Sequence, residues 1–228
     1  MPLPSRSPRK LIPRRQPRGL RTRKAILLRA AHLASVEGLE GLTVGRLAED
    51  LNMSKSGLFA HFGSKQDLQL ATVETARQMF IDQITRPALS APHGMPRLWN
   101  LIQSWLGHVE RKIFTGGCFF TAASFEFDGR TGPVHDRIVE IMHEWMATLQ
   151  RAVAEAQKAG HIAPRANASM LAYELQSLGL GAHWSRQLLD DPTAYTRTLS
   201  VIRERLLNVA TPTCPALAPV ATRSAIHK

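Results

Sequence analysis

Residues 43–62 read TVGRLAEDLNMSKSGLFAHF, and this stretch decides the fold. Thr43 is placed as a helix N-cap, with Leu42 before it and Leu47 inside the helix positioned to close a hydrophobic staple. Val44, Leu47, Ala48 and Leu51 then follow the i, i+3, i+4, i+7 spacing of one buried helical face. Asn52 stands where the chain must turn, and asparagine tolerates the left-handed conformation better than most residues. The same cap grammar then repeats: Ser54 caps a second helix, with Met53 and Leu58 as its staple. Only Leu58 and Phe62 of that helix are committed to a core, which leaves Lys55, Ser56, Gly57, Ala60 and His61 facing outward. A helix this short is unstable alone, so its predecessor must hold it. Two helices joined by a short turn, the second with a small, polar outer face, form a helix-turn-helix. Gly57 and Ala60 would let the backbone approach the floor of a DNA major groove.

Upstream, residues 21–36 read as a first helix with Ile26, Ala30, Leu33 and Ala34 on one face, closed by Glu37 and a left-handed cap at Gly38. Downstream, Gly63 ends the second helix of the pair, and Ser64 opens a long helix with Asp67 as its partner in a capping-box variant. Lys65, in the first turn, is within reach of a phosphate, and the free N–H groups there also favour an anion. An ordinary helical hairpin would share this spacing. Charge separates the two readings: the net charge is +11, and residues 1–36 hold ten Lys and Arg with no acid, while the rest of the chain is nearly balanced. A concentrated basic arm binds polyanions by releasing their condensed counterions. A merely solvated tail would look the same in isolation, but not beside such a hairpin.

Residues 1–20 (Pro- and Arg-rich) and 210–228 are expected to be disordered. Between them helical periodicity dominates and no strand-like alternation appears, giving about nine helices. The fold class is all-α: a three-helix head over residues 21–66 and a helical body over residues 67–209. Hydrophobic residues make up 44% of the chain, enough for a globular core. Two cysteines, Cys118 and Cys214, lack CxxC spacing, which argues against a disulfide framework and a zinc site. No apolar run reaches the ~20 residues that span a bilayer, so a cytoplasmic protein without a membrane partner is expected.

The segments Ala25-Ile-Leu-Leu-Arg-Ala-Ala, Glu37-Gly38, Gly41-Leu-Thr-Val, Leu47-Ala-Glu and Met53-Ser-Lys-Ser-Gly-Leu-Phe-Ala-His-Phe-Gly-Ser-Lys65 resemble the TetR-type (TetR/AcrR) family of bacterial regulators over residues 22–72. The resemblance implies a DNA-binding head and a larger body that binds a small effector and dimerises, most often in a repressor. The DNA-contacting set on this reading is Thr43, Ser54, Lys55, Ser56, Gly57, Phe59, Ala60, His61 and Lys65. Phe59 stands where the family often has Tyr, so a hydroxyl–phosphate contact is lost and anchoring falls to Lys55, His61 and Lys65. Ala34 stands where the family often has Phe in the first helix.

In the body, large apolar side chains are mostly core, with an excess of Trp, Met and His that suits an apolar pocket with a few polar anchors. Trp105, Phe119, Phe120, Met142, Trp145, Tyr173 and His183 are the candidate effector contacts, with His108, His143 and Glu126 as further anchors. Gly116-Gly117 suits a tight turn, and Cys118 reads as a small buried hydrophobe, with a redox role as the alternative. The last two long helices, about residues 167–189 and 192–208, resemble the family's dimerisation pair. Leu171, Leu175, Leu178 and Ala182 share one face, Gly179 and Gly181 permit close approach, and Tyr195, Leu199, Ile202 and Leu206 form a second stripe. A twofold homodimer would match a palindromic double-stranded operator.

An enzyme is not indicated. His143-Glu144 begins a zinc-protease pattern, but Ala147 occupies the second ligand position, and no phosphate-cradling loop or nucleophile elbow is present. Neither cofactor nor metal is expected. The competing reading is a non-specific nucleic-acid binder driven by the basic arm, which would ignore sequence and lose its grip as salt rises.

Overall fold

Three hydroxyl caps set the helix starts in the first third of the chain. Thr43 Oγ1 accepts from the Arg46 N–H at 3.1 Å, Ser54 Oγ from Gly57 at 3.1 Å and Ser64 Oγ from Asp67 at 3.0 Å. Gly38 (φ +85°) and Asn52 (φ +50°) take the left-handed conformations that their positions require. The computed structural model describes residues 18–220, and within them the regular structure is helical, with one isolated bridge between Ile162 and Ala210.

Nine helical segments follow one another among the described residues: α1 (Arg18–Glu37), α2 (Val44–Asp50), α3 (Lys55–Phe59), α4 (Lys65–Phe80), α5 (Met95–Gly107), α6 (Phe119–Phe127), α7 (Pro133–Lys158), α8 (Ala168–Leu188) and α9 (Ala194–Val209). Helix α1 starts at Arg18, inside the arm expected to be disordered, and the arm's residues 1–17 lie outside the described residues.

Helix α4 does not stop near Pro87, where the sequence suggests a break. It widens into a π segment (Ile81–Thr85) and closes with Arg86–Ala88. Pro87 lacks the N–H that an α-helix would need there, and a π segment absorbs the mismatch. Helix α5 supplies donors to two buried residues of this segment: Ser104 Oγ donates to Ile84 O at 3.0 Å and Asn100 Nδ2 to Ala88 O at 3.2 Å.

The head core gathers Ile26, Ala30, Leu33 and Ala34 of α1 with Leu47, Leu58 and Phe62, and it runs without a break into Phe114, Phe119 and Phe127 of the body. Arg29 pairs with Asp50 in bidentate fashion (2.5 and 2.8 Å), tying α1 to α2 and holding the Asp50 carboxyl below its ordinary range. A second core, around Leu98, Ile102, Trp145, Leu149, Leu175 and Ile202, fills the body. Phe80 and Met142 pack against both cores.

The segment after α9 departs from the expected disordered tail. Its Pro-rich composition lowers helical propensity, but its apolar side chains still find a surface. Leu217 is buried, the Trp99 indole donates to Ala218 O at 3.2 Å, and Thr211 N bonds His161 O at 3.1 Å. Residues 221–228 of that expectation lie outside the described residues.

Candidate nucleic-acid interface

The candidate DNA-contacting residues gather around α3. Leu58 and Phe62 are fully inside the head, as their spacing predicts, while Ser54, Lys55, Ser56, Phe59 and Ala60 are exposed and Gly57 and His61 half-buried. Phe59 is 53% exposed, one of several large apolar side chains that the fold leaves on its surface. Gly57 has a role the sequence did not disclose: an added Cβ would lie 2.9 Å from the Ser54 hydroxyl, so its absence leaves room for the cap. The Lys55 side chain lies back over α2, where an added Cβ on Gly45 would meet its Cε at 3.5 Å and Nζ at 3.7 Å. This sets an ammonium beside exposed Thr43 at the first turn of α2. Arg23 stacks its guanidinium 5.0 Å from the Phe62 ring centre, adding a second cation on the α1 side.

Ser54→Ala should cost about 1 kcal/mol by orphaning the Gly57 N–H. Thermal melting should record a drop of roughly 2–4 °C for a chain of this size. A variant melting at the parent temperature would mean that α3 is held by packing alone.

Lys65 stands at the first turn of α4 as expected, but its ammonium is held by Glu40 at 2.6 Å. Glu40 also accepts from Gln69 Nε2 at 3.2 Å and lies 3.3 Å from Arg130. The bond to Lys65, followed by Gln69 and Arg130, keeps the Glu40 carboxyl below its ordinary range against the opposing effect of desolvation. A phosphate reaching Lys65 must therefore compete with a carboxylate already in place.

Glu40 belongs to a junction between head and body. The Glu126 carboxylate of α6 accepts from the backbone N–H of Leu39 at 2.7 Å and of Glu40 at 2.8 Å, so it caps the α1–α2 loop and is not a cleft anchor. The reason is positional: Glu126 points from α6 towards the head, and Gly38 leaves it room, since an added Cβ there would sit 2.8 Å from Oε1. Gly116 presses against the end of α1, where an added Cβ would be 1.9 Å from the Ser35 carbonyl oxygen, and its N–H donates to Ser35 Oγ at 3.0 Å. The turn at Gly117 (φ +106°) fits the sequence reading; the close approach of Gly116 to the head goes beyond it.

Behind the junction lies a cleft of about 760 Å³ between α4, its π extension, α6 and α7. Trp105, Phe120, Met142 and Trp145 line it, as the sequence suggested, and so does His143 at its exposed rim. Phe80, whose ring stands edge-on to Trp145 at 5.4 Å, and Gln176, which accepts from the Trp145 indole at 2.8 Å, complete the wall. Arg77 and Glu144 pair at 2.6 Å on the rim.

Three proposed effector contacts fall elsewhere. Phe119 is a buried layer behind Phe120, stacked between it and Phe114. Tyr173 is 63% exposed on the far side of α8. His183 is buried between α8 and α9, where its Nδ1 and the Tyr195 hydroxyl share a hydrogen bond at 3.4 Å. Desolvation, with His108 nearby, lowers the His183 pKa to about 4. His108 is also enclosed and does not line the cleft. No cluster of three metal-ligating side chains forms among the described residues.

The last two helices divide their faces sharply. Leu171, Leu175 and Ala182 point into the protomer's own core, and Gly179 admits its own Trp105: an added Cβ would be 2.0 Å from the indole. Tyr195, Ile202 and Leu206 are likewise internal. The opposite face of α8 carries Met170, Tyr173, Gly181, Trp184 and Leu188, all exposed, and α9 adds Val201 and Leu207.

Two family descriptions match the sequence. Residues 26–72 match bacterial regulatory proteins of the tetR family, and residues 94–202 match the tetracyclin repressor-like C-terminal domain. Among solved structures, a TetR transcriptional regulator from Chloroflexus aurantiacus superposes with a TM-score of 0.78 at 22% identity, over 84% of this chain and 97% of that one. A TetR-family regulator from Cytophaga hutchinsonii gives 0.76 at 18% identity, over 85% and 96% of the two chains. AibR, solved in complex with isovaleryl coenzyme A and operator DNA, gives 0.62 at 20% identity, over 79% and 95%. At such identities the likeness is one of fold. No curated protein sequence matches the chain.

Proposed function

The chain belongs to the TetR family of bacterial regulatory proteins, DNA-binding transcription regulators rather than enzymes, and on that premise we propose that it is a cytoplasmic repressor released from a palindromic operator by a small-molecule inducer. The observation that carries this reading is the span of α4. Its first turn, at Lys65, adjoins the recognition helix, while Arg77, Phe80 and the π residues Ile81 and Thr85 form a wall of the cleft. A ligand that moves this wall moves the head with it, and it shifts the equilibrium only as far as its affinities for the two conformations differ. AibR, of the same fold, holds isovaleryl coenzyme A and operator DNA together, which supports a double role for such a chain.

On this reading the head is residues 21–66, and Thr43, Ser54, Lys55, Ser56, Gly57, Phe59, Ala60, His61 and Lys65 contact DNA, with the basic arm adding phosphate contacts. The inducer is an apolar, aromatic-bearing molecule with a group that hydrogen-bonds Gln176. A thermal-shift screen of such molecules, followed by titration of hits into the protein–operator complex, tests it. Hits should raise the melting temperature and release the DNA. Stabilising ligands that leave the complex intact would contradict induction.

Homodimerisation is assigned to the exposed apolar face of α8 and α9, because a stripe of that size is rarely left uncovered. The double substitution Tyr173→Arg, Trp184→Arg should give a folded monomer in sedimentation velocity, since both side chains lie outside the protomer core. Persistence of the dimer would place the interface elsewhere.

A further inference from the structure

We propose that the cleft takes amphipathic monocarboxylates, with an aromatic ring among its tryptophans and the carboxylate held at the mouth by Arg151. The proposal names a ligand class for the effector cleft and rests on that reading. The cleft wall is largely apolar, with Phe80, Trp105, Phe120, Met142 and Trp145 along it. Its arginine and glutamate lining consists of Arg77, Glu140, Glu144 and Arg151. All but the last are already committed. Glu144 pairs with Arg77 at 2.6 Å, and Glu140 with Arg137 at 2.7 Å. Arg151 is exposed and, among the described residues, has no ion pair. One positive charge is therefore left over at the mouth, and it matches a single carboxylate.

Thr148, one turn before Arg151 on α7, fixes where that charge sits. Its hydroxyl donates to the Glu144 carbonyl at 2.8 Å, so it presents a lone pair to Arg151, whose Nη2 donates to it at 2.9 Å. Thr148 itself lines the cleft, and the bond draws the guanidinium back over the opening instead of out along the helix. The remaining N–H donors form a planar fork that suits a carboxylate in bidentate geometry. Beside an apolar wall such a pair is screened less than in open water. The spacing sets the ligand's length. Trp145 and Arg151 are about 9 Å apart along the axis of α7, and the tether to Thr148 takes back part of that. A ring beside Trp145 thus reaches Arg151 through a chain of several methylenes.

The test compares 6-phenylhexanoate, its neutral analogue 6-phenylhexanamide and the cation 6-phenylhexylamine by calorimetric titration of the full-length chain near neutral pH. The acid should bind at least about tenfold tighter than the amide, and the amine weakest of the three. Arg151→Gln should bring the acid down to the amide's affinity, leave the amide's own affinity unchanged and melt with the parent, since the side chain lies outside the core. Equal affinity of acid and amide in the parent, or a preference for the acid that survives Arg151→Gln, overturns the proposal and leaves the cleft a ligand site. An amine that binds more tightly than the acid overturns it as well, and assigns the mouth to Glu140 and Glu144. Absence of binding by all three, in calorimetry and in melting, overturns the carboxylate site and the effector reading of the cleft together.

Discussion

Gly116→Ala is expected to loosen the head from the body, and it should be among the most damaging single-methyl additions in this chain. The new Cβ would lie 1.9 Å from the Ser35 carbonyl oxygen and 2.8 Å from Val36 Cα. Both are main-chain atoms of α1, so no flexible side chain can swing aside. Overpacking of this kind costs ~1–3 kcal/mol and occasionally more, and the rigid neighbour places Gly116 at the upper end. A loss near 3 kcal/mol corresponds to roughly 6–12 °C in melting temperature for a chain of this length. Operator binding should weaken too, because the donor to Ser35 Oγ shifts with the clash. Gly129→Ala, where nothing lies within 4 Å, is the control and should melt within about 1–2 °C of the parent. Equal melting of the two variants would mean that the junction yields more easily than its geometry implies.

Lys55→Glu should have the second large effect, on DNA binding rather than on stability. Its side chain is exposed, and the N-cap beside it is made by Ser54, so the fold should be indifferent to the change. A reversed charge beside the phosphate backbone loses one attraction and adds one repulsion. A lost specific contact is worth about 1–3 kcal/mol in each half-site, and a twofold complex doubles that, giving a drop of roughly 30-fold to 10⁴-fold. The salt slope should flatten at the same time. An unchanged affinity with unchanged melting would remove Lys55 from the interface.

What the sequence disclosed was local. Thr43, Ser54 and Ser64 cap helices through bonds three residues long, and Asn52 and Gly38 carry their conformations in their own side chains or lack of them. Such features need no knowledge of the rest of the fold. The partners of Glu126 and Lys65 were hidden because they lie far along the chain: Glu126 reaches Leu39 across 87 positions, and Lys65 finds Glu40 across 25. Helix α8 posed a different difficulty. It is apolar on two faces, so periodicity alone could not say that Leu175 turns inward and Tyr173 outward. The cleft was half legible for the same reason: Trp105 and Trp145 stood out as large side chains, whereas Phe80 and Gln176 are brought there by the packing of α4 and α8 against α7. The Pro-rich segment before Val220 misled in the opposite sense, since composition hid the anchoring role of Leu217.

The central claim, a head that reads one DNA sequence, is tested most directly by fluorescence anisotropy with a labelled duplex from the region upstream of the chain's own coding sequence. Unlabelled specific and scrambled duplexes would compete at about 0.15 M salt, where non-specific contacts are screened. The account predicts that the specific duplex competes ~10³-fold better than the scrambled one, with two protomers bound per site. Equal competition by the scrambled duplex would contradict it, and would leave a basic arm that binds any nucleic acid.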